Sequence, residues 1–149
     1  YPEIHLSLCE PSQKKCSFLE EVINKLNLRN VNIENERAEN LGQSCKRESY
    51  DFVLTRALAK LPTLAELTLP LVRVGGKVIT AKGKLPNVEI DESKYISELL
   101  GSKKTLVEKV IIPNSLPTDH FIIWEKHKST PVNFPRRNGI PKKRPILSD

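Results

Sequence analysis

The chain has no methionine, three cysteines, six glycines and three histidines in 149 residues, and aromatic side chains are scarce. With a start at Tyr1-Pro2, the missing methionine leads to the expectation of a fragment whose absent part lies upstream. Cys9, Cys16 and Cys45 are odd in number and stand at no motif spacing. They say little about function, and without a CxxC pair or a Cys/His cluster no metal is expected. No apolar run approaches the roughly 20 residues that a membrane span needs, and no signal-peptide pattern is visible. A cytoplasmic protein that does not enter a membrane is therefore expected. There is no GxGxxG and no other glycine-rich phosphate loop, so nothing visible binds a pyrophosphate. No Ser/His/Asp or Cys/His arrangement stands out for nucleophilic catalysis.

What is present is positive charge, and it is placed unevenly. The net charge is +6, and residues 127–149 hold Lys128, Arg136, Arg137, Lys142, Lys143 and Arg144 against Asp149 alone. The body is close to neutral. A basic tail on a balanced domain fits a polyanion, and nucleic acid is the commonest. The blander reading is a solvated tail that only aids solubility. Pro131, Pro135, Pro141 and Pro145 break this segment, and it lacks apolar periodicity. It is expected to be extended, crossing the surface or free, with Phe134 and Ile140 as possible pins. The division is thus 1–126 as the body and 127–149 as the tail.

The body alternates strand and helix signals. Ile4–Cys9 alternates as a strand, and Pro11-Ser12 supplies a turn and a helix cap. Phe18, Leu19, Val22, Ile23 and Leu26 recur at helical spacing. Val31–Ile33 is a short strand, with one helical turn around Ala38–Leu41. Asp51–Thr55 is a strand, Ala57–Leu71 a helix, Gly75-Gly76 a turn and Lys77–Ala81 a strand. Ile90–Leu100 is a helix stopped by Gly101. Leu106–Ile112 and Phe121–Trp124 follow each other without a helix, which marks an antiparallel pair at one edge. The pattern is that of an α/β domain with a mostly parallel sheet and helices on both faces.

Ligands of such sheets bind beyond the carboxyl ends of strands. Four places there hold chemistry. Glu10 ends the first strand, where a carboxylate can accept from ribose hydroxyls or serve as a dipole partner for the following helix. Arg37-Ala38-Glu39 is either a ligand-contacting loop or an ordinary polar one. Arg56 follows a buried strand directly, and suits a carboxylate or phosphate. The alternative is a salt bridge to Glu39 or Glu10. Lys82 repeats the pattern one strand on, beside Gly83, or is simply exposed at a strand end. No Asn/Asp-Pro-Pro-aromatic run follows the Arg56 strand, which argues against methylation of an exocyclic nitrogen.

The segments KKCSFLEEVINKLNLRNV, ERAEN, YDFVLTRALAKL, LTLPLVRVGGKVITAKG and FPRRNGIPKKRPI occur in this order over most of the chain. Together they resemble the bacterial small-subunit ribosomal RNA guanine-N7 methyltransferases, the glucose-inhibited division protein B family. The resemblance implies a Rossmann-like class I methyltransferase fold, here N-terminally truncated. It implies S-adenosylmethionine as cofactor and methylation of N7 of a guanosine in 16S rRNA. The partner would be the small ribosomal subunit or an assembly intermediate, and a monomer is expected. By position, Glu10, Pro11 and Ser12 match the cofactor's ribose turn, and Ala38 and Glu39 its adenine side. Arg56 matches the arginine near cofactor and target, and with Lys82 is the expected catalytic pair. Lys14, Lys15, Arg37, Lys82, Arg136, Arg137, Lys142, Lys143 and Arg144 match basic positions linked to RNA. Glu10 departs from the family's usual Asp but keeps the carboxylate. The upstream strand and its glycine-rich loop, which hold the methionine end of the cofactor, are missing. Two other readings stay open, a non-catalytic RNA-binding domain and a small-molecule methyltransferase.

Overall fold

The computed structural model describes residues 1, 3–83, 87–110 and 119–148. Its elements run β1 (Leu6–Cys9), α1 (Gln13–Lys25), β2 (Val31–Glu34), α2 (Ala38–Leu41), β3 (Tyr50–Arg56) and α3 (Leu61–Thr68). They continue with β4 (Val72–Lys82), α4 (Asn87–Leu99), β5 (Ser102–Val110), β6 (Asp119–Lys126) and α5 (Ile140–Lys143). The strands form two sheets. β1 and β2 pair in parallel, and the other four stand in the order β3-β4-β6-β5. β3 and β4 are parallel, while β6 lies antiparallel to both β4 and β5. The expected antiparallel pair at the edge is there, with the later strand inserted inward.

Period-two alternation sorts the larger sheet. Val53, Val78, Ile122 and Trp124 lie on one face, against Leu61, Leu64 and Ala65 of α3 and Ile96 of α4. That is the main core, and Phe134 from the basic segment joins it. The expectation of helices on both faces is corrected here. Phe52 and Leu54 point to the other face and are 59% and 68% exposed. In register, Leu54 neighbours Ile79 and Ile79 neighbours Ile123, so an apolar row crosses this bare face. No hydrogen-bonded ladder joins β1 to β3 among the described residues, which leaves both strands as sheet edges.

Local chemistry explains most boundaries. α3 is shorter than its leucine spacing predicts, because residues 57–60 turn before it begins. Ala57 takes φ 51°, a conformation costly for a side-chain-bearing residue, directly after β3. Pro62 sits in the first turn of α3, where its missing N–H costs nothing. α4 stops at Gly101 for a steric reason: φ is +109°, and a Cβ there would stand 2.1 Å from the Lys128 carbonyl oxygen. The Gly75-Gly76 turn expected between two elements instead lies within the continuous β4, at a register shift against β3. Leu106–Ile112 was expected as one strand. Its last two residues lie outside the described residues.

Of the two paths expected for the basic segment, it takes the one across the surface and does not hang free. Arg47 reaches into it, donating to the carbonyl oxygens of Thr130 and Pro131 at 2.7 and 3.1 Å, and to that of Phe134. Gln43 donates to the Pro135 carbonyl at 2.7 Å, and the Thr63 hydroxyl to that of Pro141 at 3.2 Å. The Phe134 pin holds, for the ring is buried, while Ile140 is only half-buried. A proline-broken segment has few backbone partners of its own. Here the body supplies them through side chains.

Candidate functional site

The carboxyl ends of β1 and β2 build one cluster. Glu10 N–H donates to the Glu34 carbonyl at 3.1 Å, so the two strand ends are tied. Asn35 Nδ2 donates to the Glu10 carbonyl at 3.0 Å, and the Cys16 thiol donates to the same oxygen at 3.1 Å. Ser12 stands at the N-cap of α1, yet its hydroxyl caps nothing. Glu10 does that work, with Oε1 accepting the Ser12 N–H at 2.8 Å and Oε2 3.5 Å from Lys15 Nζ. The dipole-partner role thus describes one carboxylate oxygen. The other faces a flexible, exposed lysine. Pro11 and Lys14 are exposed on the same turn.

The Arg37–Glu39 loop follows β2. Arg37 is the exposed N-cap of α2. The Glu36 carboxylate accepts from Arg37 N–H at 3.0 Å and from Asn40 Nδ2 at 2.6 Å, and these bonds lower its pKa below the usual range. Ala38 is half-buried. Glu39 turns inward and accepts the Gly139 N–H at 2.9 Å, which links this loop to the basic segment. Cys9 sits among these acids. Burial, then the charges of Glu34, Glu10, Glu36 and Glu39, push its thiol up to about 11. Such a field repels anions and favours a cation.

The two strand-end cations differ. Arg56 is exposed at the end of β3 and has no hydrogen-bond or ion-pair partner among the described residues. The salt bridge to Glu39 or Glu10 that would have made it structural is not formed among them. Lys82 is a different case, and the picture of a free catalytic cation is corrected. Its ammonium is 3.0 Å from the Ala59 carbonyl and 2.8 Å from Glu89 Oε2, and it is mostly buried. The same Glu89 oxygen accepts the Leu61 N–H at 2.9 Å, so it caps α3, which has no capping side chain of its own. Lys82 therefore braces the β3–α3 turn.

The basic segment divides likewise. Arg136 was expected to meet RNA, but its guanidinium grips the buried Glu66 carboxylate, with contacts of 2.6 to 3.1 Å. A fully committed bidentate arginine has little left for phosphate. Its Nη2 also donates to the Arg144 carbonyl at 2.9 Å. Arg137, Lys142, Lys143 and Arg144 keep exposed side chains. Reading the sequence missed Arg47, Glu66, Glu89 and the buried Lys126–Glu48 pair. Lys126 alone left a signal: it extends the Ile122, Trp124 alternation onto the core face.

Among the described residues no group of His, Cys, Asp and Glu is placed to hold a metal, and no helix is long and apolar enough to cross a membrane. Solved methyltransferases share the fold. A SAM-dependent O-methyltransferase from Thermotoga maritima aligns with TM-score 0.59 at 13% identity, over 87% of this chain and 52% of that one. An rRNA methylase from Streptococcus thermophilus aligns with TM-score 0.54 at 13% identity, over 83% and 74%. These likenesses establish a class I methyltransferase fold. The sequence relatives are closer. Ribosomal RNA small subunit methyltransferase G of Carboxydothermus hydrogenoformans is 39% identical over 97% of this chain, and that of Deinococcus radiodurans 40% over 98%. The chain spans 62% and 58% of the length of these two relatives. The profile of the family described as GidB, rRNA small subunit methyltransferase G, matches residues 1–116, and the chain belongs to that family.

Proposed function

We propose that this chain is part of an S-adenosylmethionine-dependent enzyme that methylates N7 of a guanosine in 16S rRNA, within the small subunit or an assembly intermediate. The observation that carries the reading is Arg56, an exposed and unpartnered cation at the carboxyl end of a parallel strand. The terminus of this edge strand, holding a cation with no acid against it among the described residues, is suited to an anionic ligand. The acid-rich ends of β1 and β2 fit the cofactor, with carboxylate acceptors for ribose hydroxyls and a negative field for a sulfonium. Glu10 would hold the ribose and the Ala38–Glu39 backbone the adenine. When bound, the cofactor supplies an electrophilic methyl group.

Guanine N7 presents a lone pair and no proton. Its attack on a methyl group needs no general base, which suits an Arg56 whose side chain meets no histidine or carboxylate partner among the described residues. The residues of this chain would act by orienting the base and by holding phosphate, the entropic part of catalysis. The bare face of β3 and β4, with the open edges of β1 and β3, supports a further element. In the complete enzyme, an upstream strand with a glycine-rich loop would lie between β1 and β3.

The test uses the complete protein, labelled S-adenosylmethionine and small subunits from a strain lacking the enzyme. Label recovered as N7-methylguanosine in 16S rRNA, and lost in Arg56→Ala, is the expected result. A folded, cofactor-binding wild type that labels nothing refutes the assignment.

A further inference from the structure

A cleft of about 310 Å³ opens where the β3–α3 turn meets α4 and the basic segment. Its walls are apolar, formed by Leu58 and Pro62 on one side and Pro145 and Leu147 on the other. Three charged side chains reach it: Lys60 from the turn, Lys142 from α5 and Glu92 from α4. None of the three side chains has a hydrogen-bond or ion-pair partner among the described residues, although the backbone carbonyl of Glu92 accepts from Ser148. Lys60 and Lys142 are exposed and Glu92 is half-buried, so the charged ends are free to meet a ligand. The turn is also held in place. Lys82 fixes the Ala59 carbonyl, and Glu89 fixes both Lys82 and the first N–H of α3.

The dimensions and chemistry select the occupant. The volume lies at the lower end of small-ligand sites, too small for a duplex but adequate for one unstacked nucleotide. Apolar walls stack with a base face, and two ammonium groups suit the phosphates on either side of it. The carboxylate decides which base. A carboxylate accepts best from two adjacent N–H donors, and guanine offers that pair on its Watson–Crick edge through N1–H and the N2 amine. Adenine, cytosine and uracil do not. We propose that this cleft binds a guanine nucleotide of single-stranded RNA, with Glu92 reading its Watson–Crick edge and Lys60 and Lys142 on the flanking phosphates. The proposal rests on the RNA reading above and adds a base-specific subsite to it. A guanine held by that edge leaves N7 on its opposite side unobstructed.

The test is fluorescence anisotropy of the complete protein with two labelled hexaribonucleotides that differ only in a central G or A. The expected result is about tenfold tighter binding of the G oligomer. Glu92→Gln should abolish the preference by weakening the G complex while leaving the A complex unchanged. Lys60→Ala and Lys142→Ala should weaken both equally and flatten the salt dependence. Circular dichroism checks that each variant is folded. Equal binding of both oligomers by the wild type would overturn the guanine subsite while leaving the RNA reading standing. Binding of neither would overturn both. A preference for G that survives Glu92→Gln would also overturn the assignment of Glu92.

Discussion

Removing the ammonium of Lys126 should cost more stability than removing any exposed charge of this chain. Its side chain is 0% exposed, at the end of β6. Nζ donates to Glu48 Oε1 at 2.7 Å, to the Leu69 carbonyl at 2.6 Å and to the Val72 carbonyl at 2.9 Å. All three donor positions are used, so the charge is paired and the carbonyls after α3 and at the start of β4 are satisfied. Lys126→Met keeps the apolar stem and leaves three acceptors without a donor. Breaking a buried pair from one side costs about 3–5 kcal/mol. Glu48 keeps the Thr130 N–H at 2.7 Å and some solvent, which places the cost near the lower end. A loss of about 3 kcal/mol lowers the melting temperature by roughly 6–12 °C in a domain of this size. Urea denaturation measures it directly. Glu48→Gln and the double variant complete a cycle, and a coupling of about 1–3 kcal/mol is expected. A single variant within about 1 kcal/mol of the parent, or strict additivity, would refute the pairing argument.

The pair also sets a pH dependence. Burial pushes the Glu48 carboxylate up, but the hydrogen bonds from Lys126 and the Thr130 N–H outweigh it, and the net pKa is lowered from 4.5. Its contribution is therefore fully present above 4.5 and is lost as pH falls through the lower folded value. Burial lowers Lys126 from 10.5, partly offset by Glu48. Between the folded value and 10.5 the unfolded chain binds more protons at this site, so its contribution to stability rises with pH there. Glu48→Gln should flatten the acid limb of the stability profile. An unchanged acid limb would assign that slope to other carboxylates.

Two further outcomes follow from the other buried and acid-flanked groups. Arg136→Met leaves the Glu66 carboxylate, 1% exposed, without its guanidinium, and should cost about 3–5 kcal/mol. It should also loosen the basic segment, so limited proteolysis should cut within 137–148 before the body, and cutting no faster than in the parent would show that the other contacts suffice. Cys9, with its thiol near 11, should resist iodoacetamide at pH 8 by at least about tenfold relative to an ordinary exposed thiol. Peptide mapping reads this, and since Cys9 and Cys45 are both exposed, labelling as fast as at Cys45 would mean that the neighbouring carboxylates do not hold the Cys9 thiol protonated.

The strand and helix order was legible because it is written in local periodicity. The alternation of Val53 and Thr55, and of Val78 and Thr80, needs only neighbours to be recognised. Between the two paths open to the basic segment, crossing the surface or hanging free, the structure shows the first, and its sequence left that choice open for the complementary reason. Its order comes from Arg47, Gln43, Thr63 and Glu66, which lie about 70 to 90 residues away in sequence and leave no trace in the composition of the segment itself. The same limit separates the two strand-end cations. Arg56 and Lys82 carry the same local signature, a cation directly after an apolar strand. Lys82 is followed seven residues later by Glu89, and the first turns of α4 carry that carboxylate back onto the ammonium. Arg56 is followed by Ala57 with φ 51°, after which the chain turns away through three residues with no acid among them. Position at a strand end makes a cation a candidate for binding. Whether an acid can return to it decides between a brace and a site, and that depends on the path of the next connection rather than on the strand.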